Sequence, residues 1–183
     1  MEAKFEHHTD LGTPGRASQT DLLVLARTSD GLGVVAVEGK ADESFGEIVD
    51  RWLGHADKGT ASEVDGGGPA PLSGKLVRLK SICATLGLNT DDVTQLRYQL
   101  LHRTVAALIE AKRFNCRHAL MLIHHFSTGP DKSAGNVSDF AKFCAALGVP
   151  NAGVNWISEP VVRNGIRLRF AWVDEECAPS QEG

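Results

Sequence analysis

Cysteine is scarce in this chain of 183 residues, and the four present, Cys83, Cys116, Cys144 and Cys177, are spread thinly along it. No C-x-x-C pair and no histidine at zinc-site spacing accompanies them, which excludes a metal knuckle and a small disulfide scaffold. They read as reduced, partly buried thiols of a cytoplasmic protein. Long apolar runs are missing too. No stretch approaches the roughly 20 apolar residues of a membrane span, and MEAKFEHHTDLG lacks the apolar core of a signal peptide. Nor is there a dominant charge: 19 Lys and Arg against 23 Asp and Glu leave a formal charge of −4. Nothing global then pulls the chain towards nucleic acid or an anionic membrane, and such a partner must be met by a local patch. There are no internal repeats.

What is there is enough apolar residue, 42% of the chain, for one domain with a full core. That domain is expected over 20–174. Residues 1–19 are polar, carry Gly12, Pro14 and Gly15, show no periodicity and read as a flexible lead-in. Residues 175–183 read as a disordered tail, and 54–74, with three consecutive glycines and two prolines, as a long flexible loop.

The runs TDLLVLART and GVVAVEGKA have β-type composition and are separated by SDGL. The Asp30-Gly31 dipeptide there predicts a two-residue hairpin turn, because a type I′ turn needs positive φ at both central positions. DESFGEIVDRWL, with Asp42 or Ser44 as cap, predicts a short amphipathic helix over 43–53. A second helix is predicted over 76–86, ended by Gly87, and a third and longest over 92–114. ALMLIHHF (119–126) is apolar on both faces, as in a central strand. A helix in VSDFAKFCAALG and a second hairpin turning on Asn164-Gly165 complete a β-β-α-α-α-β-α-β-β order, a mixed α/β sheet flanked by helices.

One strand end is awkward. VVAVEGKAD runs from small β-branched residues into Glu38, Gly39 and Lys40. If Asp30 and Gly31 are the loop, Asp21 lies opposite Lys40 and Leu23 opposite Glu38, so Asp21, Glu38 and Lys40 share one face. The diagonal from Asp21 to Glu38 is then about 7 to 8 Å between β-carbons, a gap that one divalent cation can bridge. Apolar residues on both faces of these strands predict a sheet covered on both sides, with the charged cluster at its rim. The plain alternative is a solvated salt bridge from Lys40 to the two acids.

A hairpin whose first strand opens with Asp and whose second ends in Glu-x-Lys, followed by a helix, resembles the PD-(D/E)XK nuclease-like superfamily. VAVEGKADESFG, LRYQLLHRT and ALMLIHHFS resemble an uncharacterised bacterial branch of it. The resemblance covers roughly residues 20 to 150 and implies a restriction-endonuclease-like fold with a core of helix, three-stranded meander, helix and strand. It implies Mg²⁺, or Mn²⁺, held by Asp21, Glu38 and the Gly39 carbonyl, with Lys40 orienting the metal-activated water or stabilising charge on the phosphate. Thr20 replaces the proline usual before the first acid, and the first 19 residues leave little room for the helix usual before the meander.

Further candidates lie on the third predicted helix. Gln95, Gln99, His102 and Ala106 fall on one stripe, flanked by Tyr98 and Arg103, and Gln99, Tyr98, His102 and Arg103 are candidate supports of the site. Glu47, a turn after Glu43, is a further candidate acid. His124 and His125 point to opposite faces of their strand. From 75 to 117 eight basic residues stand against three acids, and Arg78, Lys80, Arg97 and Arg103 are the candidate contacts to a phosphodiester backbone. The sequence thus predicts a Mg²⁺-dependent nuclease acting on DNA or RNA. A catalytically inactive nuclease-fold module that binds nucleic acid or protein is the alternative, with a homodimer open to either.

Overall fold

A computed structural model describes residues 1–41, 43–54, 73–127 and 134–176. The predicted loop at 54–74 and the predicted tail lie almost wholly outside the described residues. The elements are β1 (Glu2–Thr9), β2 (Ser18–Thr28), β3 (Gly31–Lys40), α1 (Val49–Leu53), α2 (Gly74–Leu86), α3 (Tyr98–Arg113), β4 (His118–Ser127), α4 (Ala134–Ala146), β5 (Trp156–Ile157), β6 (Val161–Arg163) and β7 (Ile166–Glu176). They build one mixed seven-stranded sheet in the order β1-β2-β3-β4-β7-β5, with β6 also on β7. β1, β2 and β3 form an antiparallel meander; β4 runs parallel to both β3 and β7. Among the described residues no helix is long and apolar enough to cross a membrane.

The stretch expected as a loose lead-in is largely strand β1. Residues 2–6 of this edge strand are all exposed, so neither face carries the alternation that would mark it in the sequence. The ladder with β2 skips Glu6 and Asp21 and resumes in the same register, and Glu6 has a φ of 47°. On β2 the inward positions change parity at this point: Ser18 and Thr20 are buried before it, Leu23 after it.

The first hairpin turns on Ser29 and Asp30, with Thr28 opposite Gly31 and Leu23 opposite Ala36. This corrects the expected Asp30-Gly31 turn by one position and the pairing register by two. Only Gly31 has positive φ, at 135°, so the left-handed conformation follows the turn instead of forming it. In the second hairpin Asn164 (φ 50°) and Gly165 (φ 79°) are the loop, as the sequence predicts.

The helix expected over 43–53 is shortened to α1. Gly46 takes φ 70°, and residues 47–50 spend their backbone groups on 94–98 through Val49 N–H to Leu96 O, Asp50 N–H to Thr94 O and Tyr98 N–H to Glu47 O. The same pairing holds Arg97 extended after a turn over 91–95 and delays α3 to Tyr98. Gln95 is therefore off the helix, and the expected four-residue stripe is broken.

α2, α3 and α4 pack on one face of the sheet. α3 crosses β3 and β4, Phe140 and Phe143 of α4 meet Trp172 and Phe170 of β7, and the core lies between these layers. Among the described residues no helix covers the other face, where Val35, Val37, Leu120 and Leu122 are half-exposed. The sheet expected to be covered on both sides has, among the described residues, helices on one side alone. Cys83, Cys116 and Cys144 are free and buried. Burial pushes the Cys83 and Cys144 thiols up to about 11 and about 12, which keeps them protonated.

Candidate functional site

The ends of β3 and β4 bring the charged residues together beneath α3. Even-numbered residues of β3 face the helices, so the alternation that buries Val34 and Ala36 also buries Glu38 (2% exposed) and Lys40 (5%). An ionised carboxylate there requires partners. Glu38 has them: Gln99 Nε2 donates to Oε1 at 2.6 Å, Lys40 Nζ lies 3.2 Å from the same oxygen, and Arg103 Nε donates to Oε2 at 2.6 Å. Gln99 and Arg103 stand one turn apart on α3, which is why one carboxylate receives both. Burial nevertheless raises the Glu38 pKa; Arg103 opposes that shift, and the neighbouring Asp21 charge adds to it.

Asp21 sits where the alternation of β2 breaks. Its Oδ2 accepts the Gly39 N–H at 2.8 Å, so the acid is tied to the backbone of the next strand. Lys40 reaches Glu43 Oε1 at 3.7 Å and lies 5.5 Å from the centre of the Phe45 ring. Glu47 is exposed and lines the same pocket as Lys40.

Behind this cluster runs a second chain of contacts. Arg103 Nη1 approaches Ser18 Oγ at 3.4 Å, and Ser18 Oγ is 2.9 Å from His102 Nδ1. The His102 ring lies 4.8 Å from that of Tyr98, which stacks on Trp52 at 3.7 Å and 10°. Burial, with Arg103 and Arg78 nearby, lowers the His102 pKa from 6.5 to about 3. This imidazole is neutral at pH 7.

Two depressions meet at Trp52, Tyr98 and His102. The smaller, about 300 Å³, has Lys40, Phe45, Glu47 and Gln99 in its walls; neither Asp21 nor Glu38 lines it. The larger, about 660 Å³, is walled by Arg16, Ser73, Lys75 and Arg78. Lys75 Nζ bonds Trp52 O and lies 5.6 Å from the centre of its ring. Together they make one groove with four cations and a single carboxylate, Glu47, on its walls.

The expected set is thus assembled in part. Asp21, Glu38, Gly39, Lys40, Gln99, Arg103, Tyr98 and His102 form one neighbourhood. Of the four basic residues expected on a surface, three are spent internally. Arg78 is buried and donates to Tyr98 Oη at 2.6 Å, Arg97 donates to Asp139 at 2.6 Å, and Arg103 holds Glu38. Lys80 is exposed. Sequence reasoning passed over Ser18, Trp52 and Lys75. It had no signal for them, since the first lies in the supposed lead-in and the others flank the supposed loop.

Across the sheet, Lys40 is the register partner of His125, and His125 that of Asp174. His125 is buried with Nδ1 bonded to Asp174, and His124 is 2.9 Å from Glu175. Both histidines have carboxylate partners, so neither enters the Glu38 cluster. Among the described residues no group of three or more His, Cys, Asp or Glu is placed to hold a metal ion.

These observations define an α/β protein with a buried Glu-Lys-Arg cluster at the carboxyl ends of its parallel strands. Residues 1–177 match the family described as Domain of unknown function (DUF6946), and the chain belongs to that family. No curated protein and no solved structure matches it.

Proposed function

We propose that the protein is a derivative of the restriction-endonuclease-like fold that binds single-stranded nucleic acid along the Lys40–Arg16 groove without cutting it. The fold part of this reading is supported by the order meander, α3, parallel β4, the order that the resemblance to PD-(D/E)XK proteins implies, with Glu38-x-Lys40 at the end of the third meander strand.

The observation that carries the absence of cutting is the state of Glu38. Its two oxygens accept from Gln99, Lys40 and Arg103, and its charge is already balanced by two buried cations. A Mg²⁺ or Mn²⁺ ion needs free oxygen lone pairs in an open site. Here Glu38 offers little, Asp21 Oδ2 is held by the Gly39 N–H, and neither acid faces the groove. The residues present do not fit the ion, and no catalytic step is derived through it.

The groove itself supports the binding half. Lys75 and Arg16 supply exposed positive charge, with the buried cations Lys40 and Arg78 in the walls behind them, and Trp52 and Tyr98 an aromatic wall, the pairing of features by which single strands are held without sequence readout. The nuclease reading keeps one observation in its favour, the closeness of Asp21 and Glu38 that raises the Glu38 pKa. Labelled single- and double-stranded DNA and RNA, with and without Mg²⁺ or Mn²⁺, separate the two. The expected result is metal-independent retention of single strands, weakened in Lys40→Ala, with no cleavage. Metal-dependent cleavage abolished in both Asp21→Asn and Glu38→Gln would sink the proposal and establish the nuclease.

A further inference from the structure

The uncovered face of the sheet is apolar where a solvated face would alternate with polar residues. Val24, Val35, Val37, Leu120 and Leu122 occupy its centre, all half-exposed, with Phe5 (79% exposed) and Val173 (41%) towards its two sides. Register places them on one surface: Phe5 opposite Leu22, Val24 opposite Val35, Val37 opposite Leu122, Leu122 opposite Ala171. A contiguous apolar surface rimmed by polar residues marks an interaction site.

The charged residues of this face lie at its ends, Arg169 beside Leu120 excepted, and are matched within the chain. Asp30 meets His118 at 2.9 Å and Arg167 at 3.4 Å, Glu175 meets His124, and Arg169 donates to Ser158 O at 2.6 Å. A partner therefore has to bring apolar surface and no compensating charge. Residues 55–72 hold only Val64 and Leu72 as larger aliphatic side chains, and 128–133 and 177–183 hold none.

We propose that a second copy of this chain covers the face, the two sheets packing face to face about a two-fold axis. Five long strands at about 4.8 Å spacing, each contributing roughly eight residues of about 3.3 Å, present a flat footprint of roughly 600 Å². Side-chain relief adds to this, which brings the patch close to the about 800 Å² per partner of an ordinary stable interface. Apolar side chains on two such faces interdigitate at about 10 Å sheet separation, as in a sandwich. A two-fold interface demands a self-complementary patch, and a surface of Val and Leu with its charges neutralised in place meets that demand. The groove lies on the helical side and stays open in such a dimer.

Light scattering coupled to size exclusion, on the full chain at 1–100 μM, reads the mass directly (a range set by roughly micromolar or tighter affinity). The expected mass is twice that of the chain, and Val35→Lys and Leu122→Lys are each expected to give a monomer with unchanged circular dichroism. As a check independent of those variants, a Val37→Cys thiol is expected to be labelled by a maleimide at least about tenfold more slowly in the dimer than after dilution to monomer. A wild-type monomer throughout the range overturns the proposal. So does a dimer whose mass survives both lysine substitutions in folded protein.

Discussion

Arg103 Nε lies 2.6 Å from Glu38 Oε2, joining the longest helix to the third strand of the meander inside the core. Both groups are almost wholly buried, so each is the other's main compensation for lost water. Removing Arg103 leaves Glu38 with Lys40 as its one buried cation, and removing the Glu38 charge takes from Arg103 its carboxylate partner. Arg103→Met alone and Glu38→Gln alone are each expected to cost about 3 to 5 kcal/mol, and the double variant well under their sum. Urea unfolding of the four proteins measures the coupling; strict additivity would show that the pair is not linked.

Acid should expose His102. Its pKa is lowered in the folded protein, so the unfolded chain binds the extra proton between about 6.5 and about 3. Stability from this source is fully present above 6.5 and falls as the pH drops towards 3, with a limiting slope of about 1.4 kcal/mol per pH unit. His102→Gln should flatten the stability profile in that window by up to one proton. Parallel profiles for variant and wild type at pH 4.5, 5.5 and 7 (values chosen to bracket an unperturbed pKa of about 6.5) would count against a buried neutral imidazole.

Gly39 is the test of the tie to Asp21. A β-carbon there would stand 3.6 Å from Asp21 Oδ2, an ordinary contact. Gly39→Ala is therefore expected to change stability by less than about 1 kcal/mol, whereas Asp21→Ala removes the acceptor of the Gly39 N–H and should cost about 1 to 3 kcal/mol. Thermal melts rank the two, and the reverse order would contradict the geometry.

The proposed groove makes a quantitative demand as well. Trp52→Ala should weaken binding of a single-stranded oligonucleotide by about 1 to 3 kcal/mol. Lys75→Ala should reduce the slope of log K against log salt by about 0.7 if it neutralises one phosphate. Fluorescence anisotropy over a salt series yields both values; an unchanged slope removes Lys75 from the contact.

How far the sequence could be read depends on the range of the interaction. Asn164-Gly165 was legible because both residues need positive φ and the turn is decided by neighbours alone. Asp30-Gly31 misled by one position in the turn and two in the register, since only Gly31 is left-handed; the even register shift still left Glu38 and Lys40 on the buried face. α2 and α4 were legible from periodicity and their terminal glycines, Gly87 and Gly148. The start of α3 was not, because the pairing of 47–50 with 94–98 overrides an acceptable helix signal. Arg103 reads in the sequence both as a candidate support of the site and as a candidate phosphate contact, and the bond to Glu38 decides for the first. Its role depends on the rotation of α3 over a strand 65 positions earlier, which no local pattern encodes.

Strand β7 comes after every element it joins, yet it sits between β4 and the short strands β5 and β6. Trp172, fully buried against Phe45, Phe140 and His125, belongs to it. During synthesis the sheet therefore waits with an open flank until residues 166–176 leave the ribosome, and the apolar rows of β4 stay uncovered meanwhile. The pairing of Ala119 with Leu168, like that of Val34 with Ala119, is long-range, which slows folding and lengthens the time in which the nascent chain is open to chaperones or aggregation.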